Sequence, residues 1–538
     1  MSFRKNDCQQ LSFVDSFWGL TEREKKVLQN SWAGIFADEI FPSIDEDRFA
    51  CLYSDVASRP NTPVNVILGA LIIKELFDYT DDELVENLML DLHLQYALHT
   101  TSCTEQPLSD KTLSRFRKRC YEYEQEHGVD LYKDFVEELS GKVAKMMKIN
   151  GKIRRMDSMM IESNIKYLTR VELIYTCMAN LCVHLSKECS IKLDESLAEY
   201  TEPNNFNRMF YYDKETAPEE KAKLLLHDCD VLLKLCGKDF EGMKDFEGMK
   251  DYELFVRCLE EQTVVENGCR RFRTKEERSM SSNMLQNPSD PEATYRSKAG
   301  KPHRGYVANI EESVGANGSV ITSYDYKQNT YSDSQFLKDR LEEIETSDEK
   351  ISITADGAYS GDKNTKLAKE KNVELITTTL SGKETPDVFA DFTYNEDGTK
   401  LESCAAGYAP EKCSYRKSTG QIIATFFGEA CLNCPHKREC NPKFKPHKAI
   451  VTTSLKAKKR AEYVRNMNTE KFKLFAKLRN GVETIPSIFR KNFRLDKLPR
   501  GIIRGKFFFG SKVIALNFRK LFGFRKGLGK CAPNALLA

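Results

Sequence analysis

Long apolar runs are missing: none in the 538 residues approaches the roughly 18 that a membrane helix needs. The longest, VILGALIIKELF (66–77), is cut by Lys74 and Glu75. The opening MSFRKNDCQQLSF lacks the hydrophobic stretch of a secretion signal, so a cytoplasmic location without a membrane partner is expected. A disulfide framework is missing too. The 17 cysteines are odd in number and most stand singly, which suits reduced thiols better than bridges. Net charge is slight, +2, and 40% hydrophobic with 30% charged residues is ordinary for a globular chain. The length allows three or four domains.

The small net charge conceals an asymmetry. From residue 484 onward there are thirteen Lys and Arg against one acidic residue, Asp496, so that segment is +12 and residues 1–483 are about −10. Aromatics are interleaved with the cations (FRKNFRLDK, RGKFFFGSK, NFRKLFGFRK), a pattern that suits a polyanion whose counterions are released on binding. A solvated basic surface would read the same way.

Residues 1–145 read as helices. VNVILGALIIKELF is a strongly apolar one, and the next begins with Thr80 and Glu83 at capping-box spacing. LSDKTLSRFRKRCYEYEQ (108–125) starts another at Ser109 or Asp110, with Arg115, Arg117, Lys118 and Arg119 close together. Short helices ending in a basic one fit a helix-turn-helix DNA-binding unit, or an ordinary bundle with a basic face. Near 151 the pattern becomes β-compatible, and KIRRMDSMMIESNI carries Asp157. Residues 166–290 read as charged helices and hold a six-residue tandem duplication, DFEGMKDFEGMK (239–250), to which no function attaches. From 300, GYVANIEESV and SVITSYDYK flank a GANG hairpin signal at Asn317-Gly318. There follow a helix with Leu337, Leu341 and Ile344 on one face, the strand KISITA, a helix (NTKLAKEKN) and the strand VELITTTL. Strand, hairpin, helix, strand, helix, strand implies a mixed α/β sheet whose later strands are parallel. Residues 381–455 interrupt it with turns, short strands and cysteines, and helices resume near 455.

Asp157 sits in the first strand of this part, and Asp356 ends the fourth. Adjacent strands would make neighbours of two aspartates 199 residues apart. Facing carboxylates repel unless a proton or cation lies between them, and Mg²⁺ favours such oxygen ligands. A third acid would come from a helix at the same edge. Glu483 is the candidate, because Arg479, Glu483 and Arg490 at spacings of four and seven share one helical face. Two guanidiniums for phosphate then flank a carboxylate for metal. Glu162 and Asp362 are rivals to Asp157, and an aspartate ending a strand also serves simply to turn the chain.

Four stretches carry a family resemblance: RRMDSMMIESNIKYLTRVELIY, DPEATYRSKAGKPHRGYVANIEES, ITADGAYSG and RNGVETIPSIFRKNFRLDKLPRGIIRGKFFFGSKVIALNFRKL. They resemble insertion-sequence transposases of the DDE type, in the branch with a helical N-terminal domain and a cysteine-bearing insert. The likeness runs over most of residues 40–525. It implies a helical DNA-binding domain at 1–148 and an RNase H-like catalytic domain at 149–526. Within the latter it implies a helical insertion at 170–290, the cysteine insert at 381–455 and a basic DNA-binding segment at 484–530. It implies Asp157, Asp356 and Glu483 as the catalytic triad, holding two Mg²⁺ (or Mn²⁺) ions roughly 4 Å apart on a DNA phosphodiester. Water would cut the element's end, and the freed 3′-OH would attack target DNA without a covalent protein intermediate. Arg479, Arg490, Lys491, Arg494, Arg115 and Arg117 would hold phosphate. The partners implied are double-stranded DNA, as terminal inverted repeats and target, and a second copy of the chain in the synaptic complex. The location implied is the bacterial cytoplasm, at the nucleoid. Relatives carry a tyrosine–arginine–glutamate–lysine pattern on the last helix. Here the tyrosine position is Ala476 and the lysine position is Arg490. Pro486 cannot donate to the carbonyl of Val482, so a kink is expected there. A decayed or domesticated DNA-binding protein, and a plain metal-dependent nuclease, are the competing readings.

CLNCPHKREC places Cys431, Cys434 and Cys440 at C-x2-C-x5-C spacing, which suits tetrahedral zinc, with Cys404 as the expected fourth ligand. Cys413, His436 and His447 are nearby, and a set of reduced thiols is the plainer alternative.

Overall fold

The computed structural model describes all residues except 7–15, 57, 101–107, 239–248, 275, 278–281, 299, 347, 378–384 and 528–538. The duplication at 239–250 therefore lies almost wholly outside the described residues. The architecture is mixed α/β with a helical N-terminal part. The chain divides into two compact units. Among the described residues the first comprises Met1–Gly151, Asp157–Phe336 and 484–527, and the second comprises Lys152–Met156 and Leu337–Glu483.

In the first unit, α1 (Val64–Phe77) is buried from Val64 to Glu75, so the longest apolar run is a core helix. Helix α2 (Asp81–Leu90) opens with the expected capping box: the Thr80 N–H donates to Glu83 at 2.7 Å, and the Glu83 N–H to Thr80 Oγ1 at 3.1 Å. Ser109 caps α3 (Asp110–His127), and α4 (Leu131–Met146) follows. Strand β1 (Ile153–Glu162) begins in the second unit and ends in the first. Its latter half neighbours β3 (Lys301–Gly315), which pairs antiparallel with β2 (Thr294–Lys298) and then β4 (Gly318–Gln328). The hairpin turn is Ala316-Asn317, one place before the expected pair, and Gly318 supplies the positive φ of 125° just after it. The helical insertion has its own core, built on Ile174, Met178, Leu181, Leu225, Leu232 and Phe255.

In the second unit the first half of β1 pairs in parallel with β5 (Ile351–Ala355), in the register Ile153↔Ser352, Arg154↔Ile353, Arg155↔Thr354. Strand β5 pairs in parallel with β6 (Val373–Thr377) through the crossover helix α5 (Asp362–Glu370). The first and fourth strands of the sequence pattern are thus neighbours, as expected. The insert carries a four-stranded antiparallel sheet formed by Lys412–Arg416, Gln421–Phe427, Lys448–Thr453 and Lys443–Lys445. The second unit closes with α6 (Glu470–Asn480) and a 3-10 turn, Gly481–Glu483.

The first unit resumes with α7 (Thr484–Phe493) and α8 (Ile502–Arg525). Helix α8 makes up half of the segment expected to be a basic DNA-binding one. It packs against β4, α4 and α1 and is buried along most of its length. Gly505 and Gly510 permit this approach. A Cβ at Gly505 would stand 2.6 Å from the Tyr326 ring, and one at Gly510 would be 2.7 Å from Tyr324 Cζ. The Asn517 amide reads the backbone of β4, accepting from the Ile321 N–H at 2.9 Å and donating to its carbonyl at 2.8 Å. The cations of α8 are largely spent inside the unit. Lys512 meets Glu75 and Lys520 meets the fully buried Glu312, both at 2.5 Å, while Arg525 meets Glu39 at 2.7 Å. Lys506 lies on Glu124 and Asp130. Desolvated ammonium groups need such partners, which is why the basic helix is buried against the acidic ones. Among the described residues, no helix is long and apolar enough to cross a membrane.

Candidate active site

The parallel pairing brings the two expected aspartate strands together in register. Arg155 stands opposite Thr354, an offset of 199 residues, and two residues further along each strand come Asp157 and Asp356. Asp157 is half-buried within β1. Asp356 is half-buried at the end of β5, where its Oδ1 accepts from the Gly357 N–H at 2.6 Å and caps a 3-10 turn, Gly357–Tyr359. Turning the chain is thus a real part of its work.

Helix α6 crosses the parallel strands of the second unit. At its start Lys471 reaches Glu374 of β6 at 3.0 Å. At its end the buried Arg155 of β1 donates from Nη1 to the Leu478 carbonyl at 2.6 Å. Gly481 then lies against that guanidinium so closely that a Cβ would overlap Nη1 and stand 3.0 Å from Cζ. The turn bearing Glu483 is therefore docked on the residue two before Asp157. Glu483 is exposed, and Arg479 Nη1 donates to its Oε1 at 2.7 Å.

The expectation of one continuous helix through Arg479, Glu483 and Arg490 does not hold. The α-helix stops at Asn480, and a new one starts at Thr484. Pro486, which leaves the Val482 carbonyl without its helical donor, explains a break at this point. Within the first unit Arg490 is exposed, donates to the Met160 carbonyl at 3.1 Å and lies 3.7 Å from Asp496. Arg494 pairs with Asp78, and Lys491 is exposed.

Arg115 is exposed on α3, whereas Arg117 is buried. Its guanidinium grips both oxygens of Asp81 and lies 5.4 Å from the Phe508 ring centroid, so it braces the unit rather than facing a ligand. Burial raises the Asp81 carboxyl, but Arg117 and then Lys74 outweigh it, and the group titrates below its ordinary value. Among the rivals to Asp157, Glu162 accepts from the Arg304 N–H at 3.1 Å and meets His303 Nδ1 at 2.6 Å. Asp362 is exposed at the start of α5.

Sequence reasoning missed a cleft of about 630 Å³ in the first unit, lined by Arg170, Arg296, Arg304 and Tyr295. Arg304 stacks over Tyr167 at 4.4 Å and Tyr295 at 5.6 Å. These arginines are dispersed in sequence, and no local motif announces them.

In the insert, Cys404, Cys431, Cys434 and Cys440 line one cavity of about 20 Å³ with His436. Burial, then the neighbouring Cys431, Cys404 and Cys434, pushes the Cys440 thiol up to about 12. Burial, then Cys404 and Cys434, raises Cys431. Among the described residues, no three His, Cys, Asp or Glu side chains stand in a preformed metal-ligand arrangement.

A transposase domain model (DUF772) matches residues 22–119, and a transposase DDE domain model matches residues 403–522. Both matches are to transposase domains, and together they support an insertion-sequence transposase of the DDE type. Its N-terminal helices from Glu22 through most of α3 fall in the first match. The cysteine insert from Ser403, Glu483 and nearly all of α8 fall in the second. Asp157 and Asp356 lie outside both. No curated protein and no solved structure matches the chain. The matched domains imply DNA binding and DNA cleavage.

Proposed function

We propose that the transposase cuts the ends of its element and joins the freed 3′-OH to target DNA at a site formed by Asp157, Asp356 and Glu483, on an RNase H-like framework. One observation carries this reading. Arg155 pairs in register with Thr354 and also receives the turn bearing Glu483, so a single residue links the approaches to all three acids. Their donor set is hard oxygen on half-buried or exposed carboxylates, which fits Mg²⁺ or Mn²⁺. Bound there, the two divalent ions would make a water acidic and stabilise a leaving 3′ oxygen.

The chain's own residues do the rest. Arg479 neutralises Glu483 now and is placed to accept a DNA phosphate once that carboxylate is engaged. Arg490, Lys491, Arg494 and Arg115 remain as phosphate ligands, joined by the arginine cleft. Arg117 is withdrawn because it is buried on Asp81. A second copy of the chain is expected in the complex that pairs two element ends.

The test is strand transfer in vitro with the DNA ends flanking the gene, a plasmid target and Mg²⁺. Joined product is expected from the parent and none from Asp356→Asn or Glu483→Gln, with DNA binding retained in all three. Hydrolysed but unjoined DNA would reduce the protein to a nuclease. Binding with no cleavage by the parent would favour the decayed reading, and Asp356 would be left as a turn-forming aspartate.

A further inference from the structure

We propose that the insert binds one zinc ion through Cys404, Cys431, Cys434 and Cys440, closing a structural site separate from the chemistry on DNA.

The four thiols come from two pieces of chain, Cys404 from one and Cys431, Cys434 and Cys440 from a ten-residue stretch of the other. Cys404 opens a tight turn after the short strand Leu401–Ser403: its carbonyl accepts from the Gly407 N–H at 2.9 Å, and its own N–H donates to Tyr408 at 3.0 Å. Cys431 lies in the short helix Gly428–Leu432, Cys434 follows it, and Cys440 ends the helix Lys437–Cys440. All four reach the same cavity, whose roughly 20 Å³ admits an ion or a water and no organic ligand. The chemistry of the lining selects the ion. Sulfur ligands favour zinc over magnesium, and a set of four protein ligands closes the tetrahedron, as in structural rather than catalytic sites.

The insert also has reason to need such a tie. Among the described residues its buried core is Val388, Phe389, Phe392, Leu401, Ile422, Phe426 and Val451 with three alanines, a modest set for a segment of this size. Among the described residues the sulfurs do not form a ready-made ligand set, so binding would require them to converge and to release thiol protons. Cys413 provides an internal contrast. It packs on the same core, yet its Sγ lies 3.6 Å from the Leu401 carbonyl and does not line the cavity.

The test uses the full-length protein purified without chelator. One zinc per chain is expected by metal analysis, and replacement by Co²⁺ should give thiolate charge-transfer absorption and the visible bands of a tetrahedral site. Cys434→Ser and Cys440→Ser should lose at least tenfold in zinc affinity, while Cys413→Ser keeps full occupancy. A parent chain that carries no zinc and gives no tetrahedral Co²⁺ spectrum would overturn the proposal whatever the variants do. Recovery of these cysteines as a disulfide, or equal loss in Cys413→Ser, would also overturn it. None of these readouts depends on DNA joining, so this site and the carboxylate site can fail separately.

Discussion

Replacing Gly481 by alanine probes the link between Arg155 and Glu483 without touching a proposed metal ligand. The backbone tolerates the change, because Gly481 has φ −64° and lies in a 3-10 turn. The obstacle is the Arg155 guanidinium, which the new methyl would overlap and which is buried with Nη1 on the Leu478 carbonyl. Displacing it forfeits a hydrogen bond from a charged donor, worth about 1.5–3 kcal/mol. Alanine returns about 0.4–1 kcal/mol by restricting the unfolded chain. The net cost is roughly 0.5–2.5 kcal/mol, a fall in Tm of up to a few degrees for a unit of this size. Activity should suffer more, because a misplacement of about 1 Å at the reacting centre can cost about a hundredfold. The assays are thermal unfolding and strand transfer, run also on Arg155→Met and on the double variant. If Arg155 mediates the effect, the double variant is no worse than Arg155→Met alone. Additive losses, or a Gly481→Ala protein that joins DNA at the parent rate, would refute the mechanical link.

Two further outcomes follow from buried charge. Lys512→Met leaves Glu75 desolvated, with Lys74 at 3.8 Å as its remaining ion pair among the described residues, and should cost about 3–5 kcal/mol in urea unfolding. Adding Glu75→Gln should recover most of that, and a single variant within about 1 kcal/mol of the parent would show that the pair does not anchor α8. Asp81 titrates below its ordinary value when folded, so its contribution is present above about pH 4, where the unfolded group ionises, and is lost as pH falls through the lower folded value. Asp81→Asn should flatten the acid side of the stability profile, and an unchanged slope would sink that assignment.

Local signals were legible and long-range pairing was not. Thr80 and Glu83 announced their capping box because four consecutive residues suffice to make it. The adjacency of β1 and β5 could be read because the element order constrains parallel strands, and the register then turned two distant aspartates into a matched offset. The broken helix after Asn480 was half legible. Pro486 warned of it, but the spacing of Arg479, Glu483 and Arg490 imitates a continuous face whether or not the helix continues. Arg115 and Arg117 are two residues apart on one helix and differ entirely in exposure, since only the tertiary fold decides which of them meets Asp81.

Charge counting discriminates least in the C-terminal segment. Its thirteen cations suggested a polyanion surface, yet Arg490, Arg494, Lys506, Lys512, Lys520 and Arg525 each meet a carboxylate of the first unit. The acids that answer them, Glu75, Asp78, Glu124 and Glu312 among them, are scattered through the N-terminal two-thirds of the chain. An imbalance of +12 against −10 therefore describes an internal electrostatic contract as well as it describes an affinity for DNA. Only cations that remain exposed can exchange their counterions for phosphates. On this chain that narrows the tail's share to exposed residues such as Arg490, Lys491, Arg494, Arg500 and Arg504, and it shifts weight to Arg115, which the count of tail charges did not mark.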